Sequence, residues 1–373
     1  MAQPLKKLTV KGFKSIESLV DFELRPLNVL IGANGSGKSN FVDFFRLLRA
    51  MADQSLQKFV TKRGGADVLF HMGVKYTRQI SVRVEFGENA YEFALSPTAS
   101  GQMMVESQIV EGRSDSPNWI PIPERERSER SGAKLESTVP FFAKVHPLGP
   151  DADILAGMSS SSVFHLNDTS GLALMRRDQS VRDRAALRHD ASNIAPFLLN
   201  LREKHKGSYD LIRDTVRMIA PFFDDFILES ETKGEEEKVR LEWRQKGSDY
   251  PFQAYQLSDG TIRFICLATA LLQPSPPATV VIDEPELGLH PFAINLLASL
   301  IQSASERTQV IISTQSPALL DQFKPEDVVV VNRQAGHSTF DRLEAEKFRE
   351  WLEEYSVAEL WQKNVVRGGP ANE

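Results

Sequence analysis

The chain has 373 residues, 41% hydrophobic and 25% charged, which is enough to bury a substantial core and excludes both a disordered chain and a small stapled scaffold. A formal charge of −6 and a pI near 5.8 exclude a protein that coats nucleic acid by bulk positive charge. The single cysteine, Cys266, excludes an intrachain disulfide framework, and no apolar run is long enough to cross a bilayer.

Between Ile265 and Leu267 the thiol of Cys266 is expected to be buried. The opening MAQPLKKLTVKGF has no secretory apolar region, so a cytoplasmic location without a membrane partner is expected. Leu5 to Phe13 and Ile16 to Leu24 read as strands, and Leu27 to Ile31 is an apolar run ending at a glycine. Helical spacing begins after Lys38, where Phe41, Phe44, Phe45, Leu47 and Leu48 form an apolar face. Alternation over 79–86, with short candidates at Tyr91 to Leu95 and Met103 to Val110, predicts an antiparallel β-lobe.

Residues 114–190 read as irregular, rich in Ser, Arg and Pro, with the serine run 159–162 inside them. Helices follow over Asn193 to Lys204 and Tyr209 to Ile219. A hairpin is then expected to pair Phe226 to Glu229 with Val239 to Trp243, with Lys233 to Lys238 at its exposed tip. The last third alternates: helix Thr261 to Leu272, strand Thr279 to Ile282, helix Phe292 to Ser303, strand Gln309 to Ser313, and a final helix around Glu344 to Tyr355. That order predicts a parallel sheet flanked by helices. No heptad pattern is long enough for a coiled-coil arm.

The most specific motif is Gly32-Ala-Asn-Gly-Ser-Gly-Lys38-Ser39, a complete G-x-x-x-x-G-K-S that follows an apolar strand and opens a helix. Its glycines let amide groups curl round phosphates, Lys38 reaches the β- and γ-phosphates, and Ser39 can ligate Mg²⁺. The second motif is Val280-Val-Ile-Asp283-Glu284-Pro-Glu286, an apolar strand ending in acids. Here Asp283 suits a metal ion and Glu284 suits polarisation of a water, while Glu286 reads as a surface acid without a role. The third is Leu257-Ser258-Asp-Gly-Thr261, in which Ser258 is a natural N-cap.

These elements resemble the ATPase heads of the ABC class, in the RecF, SMC and OLD-like branch, over nearly the whole chain. The resemblance is carried by Val10-Lys-Gly-Phe-Lys-Ser-Ile16 as entry strand, Leu257 to Thr261 as signature loop, Asp283 to Pro291 as Walker B and D-loop, and Ser313-Thr-Gln-Ser-Pro317 as switch loop. It implies an α/β fold, an ABC-type P-loop ATPase head with a mostly parallel core sheet, an antiparallel β-lobe and an inserted helical segment. Its parts would be an N-terminal lobe over 1–113, an irregular and helical insertion over 114–222, and a C-terminal lobe over 223–373.

The implied nucleotide contacts are Asn34, Gly35, Ser36, Gly37, Lys38, Ser39 and Asn40, with Ser258 and Gly260 offered to ATP held by a second copy. Lys38, Glu284 and Gln315 would be catalytic, Ser39 and Asp283 would hold Mg²⁺, and the cofactors would be ATP and Mg²⁺. The partners implied are a second copy in an ATP-dependent homodimer, with DNA or an effector such as a nuclease or toxin beyond it. The role implied is a molecular switch, in genome maintenance or phage defence.

Two positions depart from the pattern. Gln315 stands where many relatives have histidine, which implies slow or partner-tuned hydrolysis, and Asp259 replaces a glycine of the transporter signature. The family's glutamine loop has no assigned position. The gap between Lys38 and Ser258 lacks coiled-coil arms, and the chain after Pro317 is too short for the nuclease domain of OLD enzymes, so a head alone is expected. An alternative reading is a slow ATPase that scaffolds a separately encoded nuclease or toxin. The entry strand, the β-lobe and the signature loop argue against a transporter ATPase.

For DNA, the candidate contact is the run Arg176, Arg177, Arg182, Arg184 and Arg188, interrupted by Asp178 and Asp183; a solvated charged loop is the favoured reading of it. Arg125, Arg127 and Arg130 alternate with glutamates and read as a self-neutralised face. His165, His189 and His290 show no metal-ligand spacing.

Overall fold

The computed structural model describes residues 2–112, 118–119, 150–166, 168–366 and 368–369. The Arg125 to Arg130 cluster lies outside the described residues.

Two sheets enclose the helix that begins at Lys38. The core sheet has six strands in the order His337–Arg342, Val328–Gln334, Leu27–Ile31, Gln309–Ser313, Thr279–Asp283, Ser161–Phe164. All neighbours pair in parallel except the first two, which form an antiparallel hairpin. Its central strands are apolar on both faces, as a sheet covered on both sides requires. Val29, Val280, Ile282, Val310, Ile312 and Val330 enter one core with the helices Ile194–Lys204, Asp259–Leu272 and Pro291–Ser305. Leu30, Val281, Ile311, Val329 and Val331 enter the other, with Phe41, Phe44, Phe45 and Leu48 of the helix Lys38–Ala52. The second sheet is antiparallel, in the order Ile16–Glu23, Leu5–Phe13, Ile80–Phe86, Asn89–Pro97, Met103–Glu111, Asn118–Trp119, and covers that helix from the other side.

The expected fold class is therefore present: a mostly parallel core sheet, an antiparallel β-lobe and inserted helices. Several local expectations change. The stretch read as irregular contains the helix Pro150–Ser159 and the strand Ser161–Phe164, which is an edge of the core sheet. The hairpin pairs as expected, with Phe226 opposite Trp243, but its pairing runs on as Ser230–Lys233 against Glu236–Val239, so the exposed tip narrows from Lys233 to Lys238 to Gly234 and Glu235. Around 344–355 a short 3₁₀ turn, Ala345–Phe348, and one helical turn, Arg349–Leu352, replace the expected helix. Beyond Pro317, where a short α/β remainder is expected without individual strands assigned, the chain forms Val328–Gln334 and His337–Arg342, and the β-branched run Val328 to Val331 of the first matches strand preferences.

In the helix Asp259–Leu272 every residue from Ile262 to Leu272 is buried, as suits a helix running through the core. Burial pushes the Cys266 thiol up to about 12, so it is a core atom and not a nucleophile.

Candidate functional site

The loop Gly32 to Gly37 joins the strand Leu27–Ile31 to the helix Lys38–Ala52, and its glycines are required by space as well as by conformation. A Cβ on Gly32 would lie 2.2 Å from the Val331 carbonyl oxygen, and one on Gly37, at φ 113°, would lie 2.0 Å from Ser338 Oγ. The hairpin of the core sheet thus walls the loop on one side. Ser338 Oγ donates to the Ser36 carbonyl at 2.6 Å and meets Ser15 Oγ at 2.7 Å, and the Ser338 amide donates to the Ser15 carbonyl at 2.7 Å. Asn40 turns its amide to Ser15 Oγ at 2.7 Å, so this side chain braces the loop from below.

Above the loop the geometry suits a polyanion. Asn34, Gly35 and Ser39 are exposed, Ser36 Oγ is shielded with no hydrogen-bond partner, and the helix starting at Lys38 has no side-chain cap and no acid in its first turn. Lys38 is only 5% exposed and arches back over the loop, donating to the Gly32 carbonyl at 2.7 Å and the Ala33 carbonyl at 3.1 Å. Burial draws its ammonium below the ordinary value, against the opposing charges of Glu284, Asp283 and Glu286. A buried cation facing three acids and an uncapped helix N-terminus is a donor set that fits phosphate oxygens together with a metal.

The acids arrive on the adjacent strands. Asp283 ends the strand Thr279–Asp283 beside Ser313, whose hydroxyl donates to it. Glu284 then takes a left-handed backbone, φ 48°, which costs a residue other than glycine roughly 1–2 kcal/mol. Its amide donates to the Ser313 carbonyl at 2.9 Å, fixing the turn. Its carboxylate accepts from Gln315 Nε2 at 2.8 Å. The structure therefore brings together Lys38, Asp283, Glu284 and Gln315 from three neighbouring strand ends, the edge where ligands of parallel sheets bind.

Ser258 caps the helix Asp259–Leu272, its Oγ accepting from the Thr261 amide at 3.1 Å, and it is exposed. Gly260 packs so tightly on the D-loop that a Cβ there would lie 2.3 Å from the Gly288 carbonyl oxygen. Asp259 accepts from Arg176 Nη2 at 2.8 Å, which neutralises its charge beside the loop.

That contact changes the reading of the arginine run. The Arg176 side chain is 4% exposed, and also donates to the Thr169 carbonyl at 3.0 Å and to the Ala254 and Leu257 carbonyls. Arg184 pairs with Glu203 and Arg188 with Asp183. The run is not a continuous free basic strip.

Asp43 and Arg263 carry contacts that their sequence does not announce, Glu286 is not the surface acid expected, and His165 lies at the sheet edge. Asp43 is 4% exposed and accepts from Lys14, Arg46 and, at 2.8 and 2.7 Å, both terminal nitrogens of Arg63. Burial alone would push its carboxyl up, but Lys14 and Arg46 outweigh this and hold it below its ordinary value. Glu286 is half-buried, and its Oε1 accepts from Thr314 Oγ1 at 2.6 Å and from the Gln315 amide at 3.1 Å. Arg263 is 8% exposed and ties the signature helix to the carbonyls of Leu166, at 3.0 Å, and Leu287. His165 follows the edge strand in which Phe164 lies opposite Ile282, and so stands level with Asp283. Burial, then the Arg46 charge, draws its imidazole below the ordinary value. Among the described residues no cluster of three or more His, Cys, Asp or Glu could by itself hold a metal ion, so any metal here needs a hydroxyl or phosphate oxygen as well.

The fold is that of an ATPase head of the SMC and OLD-like class. The chain belongs to the AAA family described as "AAA domain, putative AbiEii toxin, Type IV TA system", whose model matches residues 27–321. It is 23% identical over 337 residues to an OLD nuclease of Thermus scotoductus, covering 85% of this chain and 60% of that protein. It is 46% identical over 70 residues to the chromosome partition protein Smc of Halothermothrix orenii, covering 18% of this chain and 5% of that one. The chain thus spans less than two thirds of the length of these relatives. In fold it is similar to an Smc head crystallised with the C-terminal winged-helix domain of ScpA, with TM-score 0.60 and 17% identity over 93% of this chain and 99% of that one. Among the described residues no helix is long and apolar enough to cross a membrane.

Proposed function

We propose that the chain is an ATP-hydrolysing switch, of which two copies close around ATP and pass that closure to DNA or to a partner effector. The observation that carries this reading is the meeting of the glycine loop Gly32 to Gly37 and its buried Lys38 with the Glu284–Gln315 pair at one sheet edge. Lys38 and the free amides at the start of its helix would take the β- and γ-phosphates. Ser39 and Asp283 would hold Mg²⁺, which when bound neutralises charge on the phosphate oxygens. Glu284 would accept the proton of the attacking water, and Gln315 would orient that water by donating or accepting without changing charge. Ser258 and Gly260, at an exposed helix start, would cap the γ-phosphate of the nucleotide in the other copy. The test is the mass of Glu284→Gln in solution: it should double on adding ATP while Lys38→Ala stays at its starting mass. Equal masses for both would contradict closure around ATP.

A second reading, a slow ATPase scaffolding a separately encoded nuclease or toxin, is favoured by one finding: Arg176, Arg184 and Arg188 are engaged inside the chain. It is supported too by the similarity to an OLD nuclease that is longer than this chain and to a head that was crystallised with part of another protein. DNA coupling requires binding that falls steeply with salt and a rate that rises with duplex DNA. A rate indifferent to DNA assigns the output to a protein partner.

A further inference from the structure

We propose that Glu286 is a positioning residue of the hydrolytic site, which sets the switch loop so that Gln315 meets Glu284. The inference rests on the ATPase reading and adds to it a residue that the motif alone leaves idle. Thr314, Gln315 and Ser316 leave the end of the strand Gln309–Ser313 with little regular structure to orient them. The Thr314 amide is held by the Leu30 carbonyl and the Ser316 amide by Thr314 Oγ1, while the Gln315 amide is held by Glu286 Oε1 at 3.1 Å. The same oxygen accepts from Thr314 Oγ1 at 2.6 Å. One carboxyl oxygen thus anchors two successive residues, and the Gln315 side chain then reaches Glu284 at 2.8 Å.

The other oxygen, Oε2, is shielded from solvent and has no hydrogen-bond partner, so this acid is retained at a cost that a surface acid would not carry. Burial raises its ordinary carboxyl value, in keeping with a carboxyl lodged between the two loops and not in water. Its position also explains how the signature helix can reach the chemistry. Gly260 abuts the Gly288 carbonyl, and Arg263 donates to the Leu287 carbonyl, one residue beyond Glu286. A shift of the signature helix therefore moves the D-loop, and with it the anchor of Gln315.

The test compares Glu286→Ala and Glu286→Gln with wild type by hydrogen exchange of residues 313–317 and by ATP turnover. Loss of one charged hydrogen bond should speed exchange of the Gln315 amide roughly tenfold or more in Glu286→Ala, while Glu286→Gln keeps an acceptor oxygen and stays near wild type. In turnover, Glu286→Ala should lower kcat roughly tenfold or more with KM for ATP within about twofold, Glu286→Gln should recover most of the rate, and adding Glu286→Ala to Gln315→Ala should cost nothing further. Unchanged exchange in Glu286→Ala overturns the anchor, whether or not the chain hydrolyses ATP. Faster exchange with unchanged kcat, or additive losses in the double variant, overturns its role in setting Gln315. A wild type without turnover removes the ATPase reading and leaves the exchange result to decide the anchor.

Discussion

Gln315 Nε2 donates to Glu284 Oε1 at 2.8 Å, although the two residues lie 31 positions apart on neighbouring strand ends. The switch residue and the acid after the Walker B aspartate are one hydrogen-bonded unit. Gln315→Ala should therefore lower kcat roughly tenfold to a hundredfold with ATP affinity within about twofold, because it removes an orienting group and leaves the phosphate cradle intact. Steady-state kinetics beside equilibrium binding of a fluorescent ATP analogue reads both; a parallel loss of affinity would place Gln315 in ground-state binding.

Asp43 is the electrostatic anchor of the helix that carries Lys38. Lys14 and Arg63 from two other segments, and Arg46 one turn along the same helix, meet its carboxylate, and their own side chains are 16, 32 and 21% exposed. Asp43→Asn should cost about 2–3 kcal/mol at neutral pH, less than a wholly buried pair because the cations still reach water. The folded carboxyl titrates below its ordinary 3.8, so its contribution is complete above that value and is lost as pH falls through the lower folded value. Urea unfolding of wild type and variant should show a gap at pH 7 that narrows in acid; a gap independent of pH would mean that packing, not charge, is lost.

Gly260 offers a test in which two effects have opposite signs. Alanine in a helix is favoured over glycine by about 1 kcal/mol, but here its Cβ would lie 2.3 Å from the Gly288 carbonyl oxygen, and forcing atoms into a packed site costs roughly 1–3 kcal/mol. Gly260→Ala should lower the melting temperature and reduce ATP turnover together, since the signature helix and the D-loop are pushed apart. A raised melting temperature would show that the contact is slack.

For Glu286 the sign of the pH dependence is set by burial, which raises its carboxyl above the ordinary 4.5. Between the ordinary and the raised value the folded state holds the proton more tightly than the unfolded chain, so this group's contribution to stability falls as pH rises. Glu286→Gln mimics the protonated form and should melt higher than wild type near pH 8, with the gain shrinking as pH is lowered toward 4.5. A gain that persists in acid would trace to packing and not to the charge.

The phosphate loop and the acidic strand are legible in the sequence because each is local: a strand, a few residues of fixed type, then a helix or a turn. Residues whose role comes from pairing across the fold are not. Ser161 and Ser162 look like a polar loop, and only their parallel register with Thr279 and Val280 makes them a sheet edge that delivers His165 beside Asp283. Arg176 and Asp259 each read as surface charge, yet they neutralise one another across 83 positions. Glu286 gives no signal beyond its nearness to Asp283, since its partners come from the switch loop. Asp43 did carry one: it sits between Phe41, Val42, Phe44 and Phe45, all buried, and an acid flanked on every side by core residues requires a partner.

Hydrolysis at Glu284 is read directly by the steady-state ATPase rate of wild type beside Glu284→Gln, each with Mg²⁺ and with or without duplex DNA at low salt. Wild type should turn over ATP, and Glu284→Gln should lose roughly a hundredfold or more of that rate with ATP still bound. Equal rates in the two proteins would contradict a hydrolytic site at Glu284.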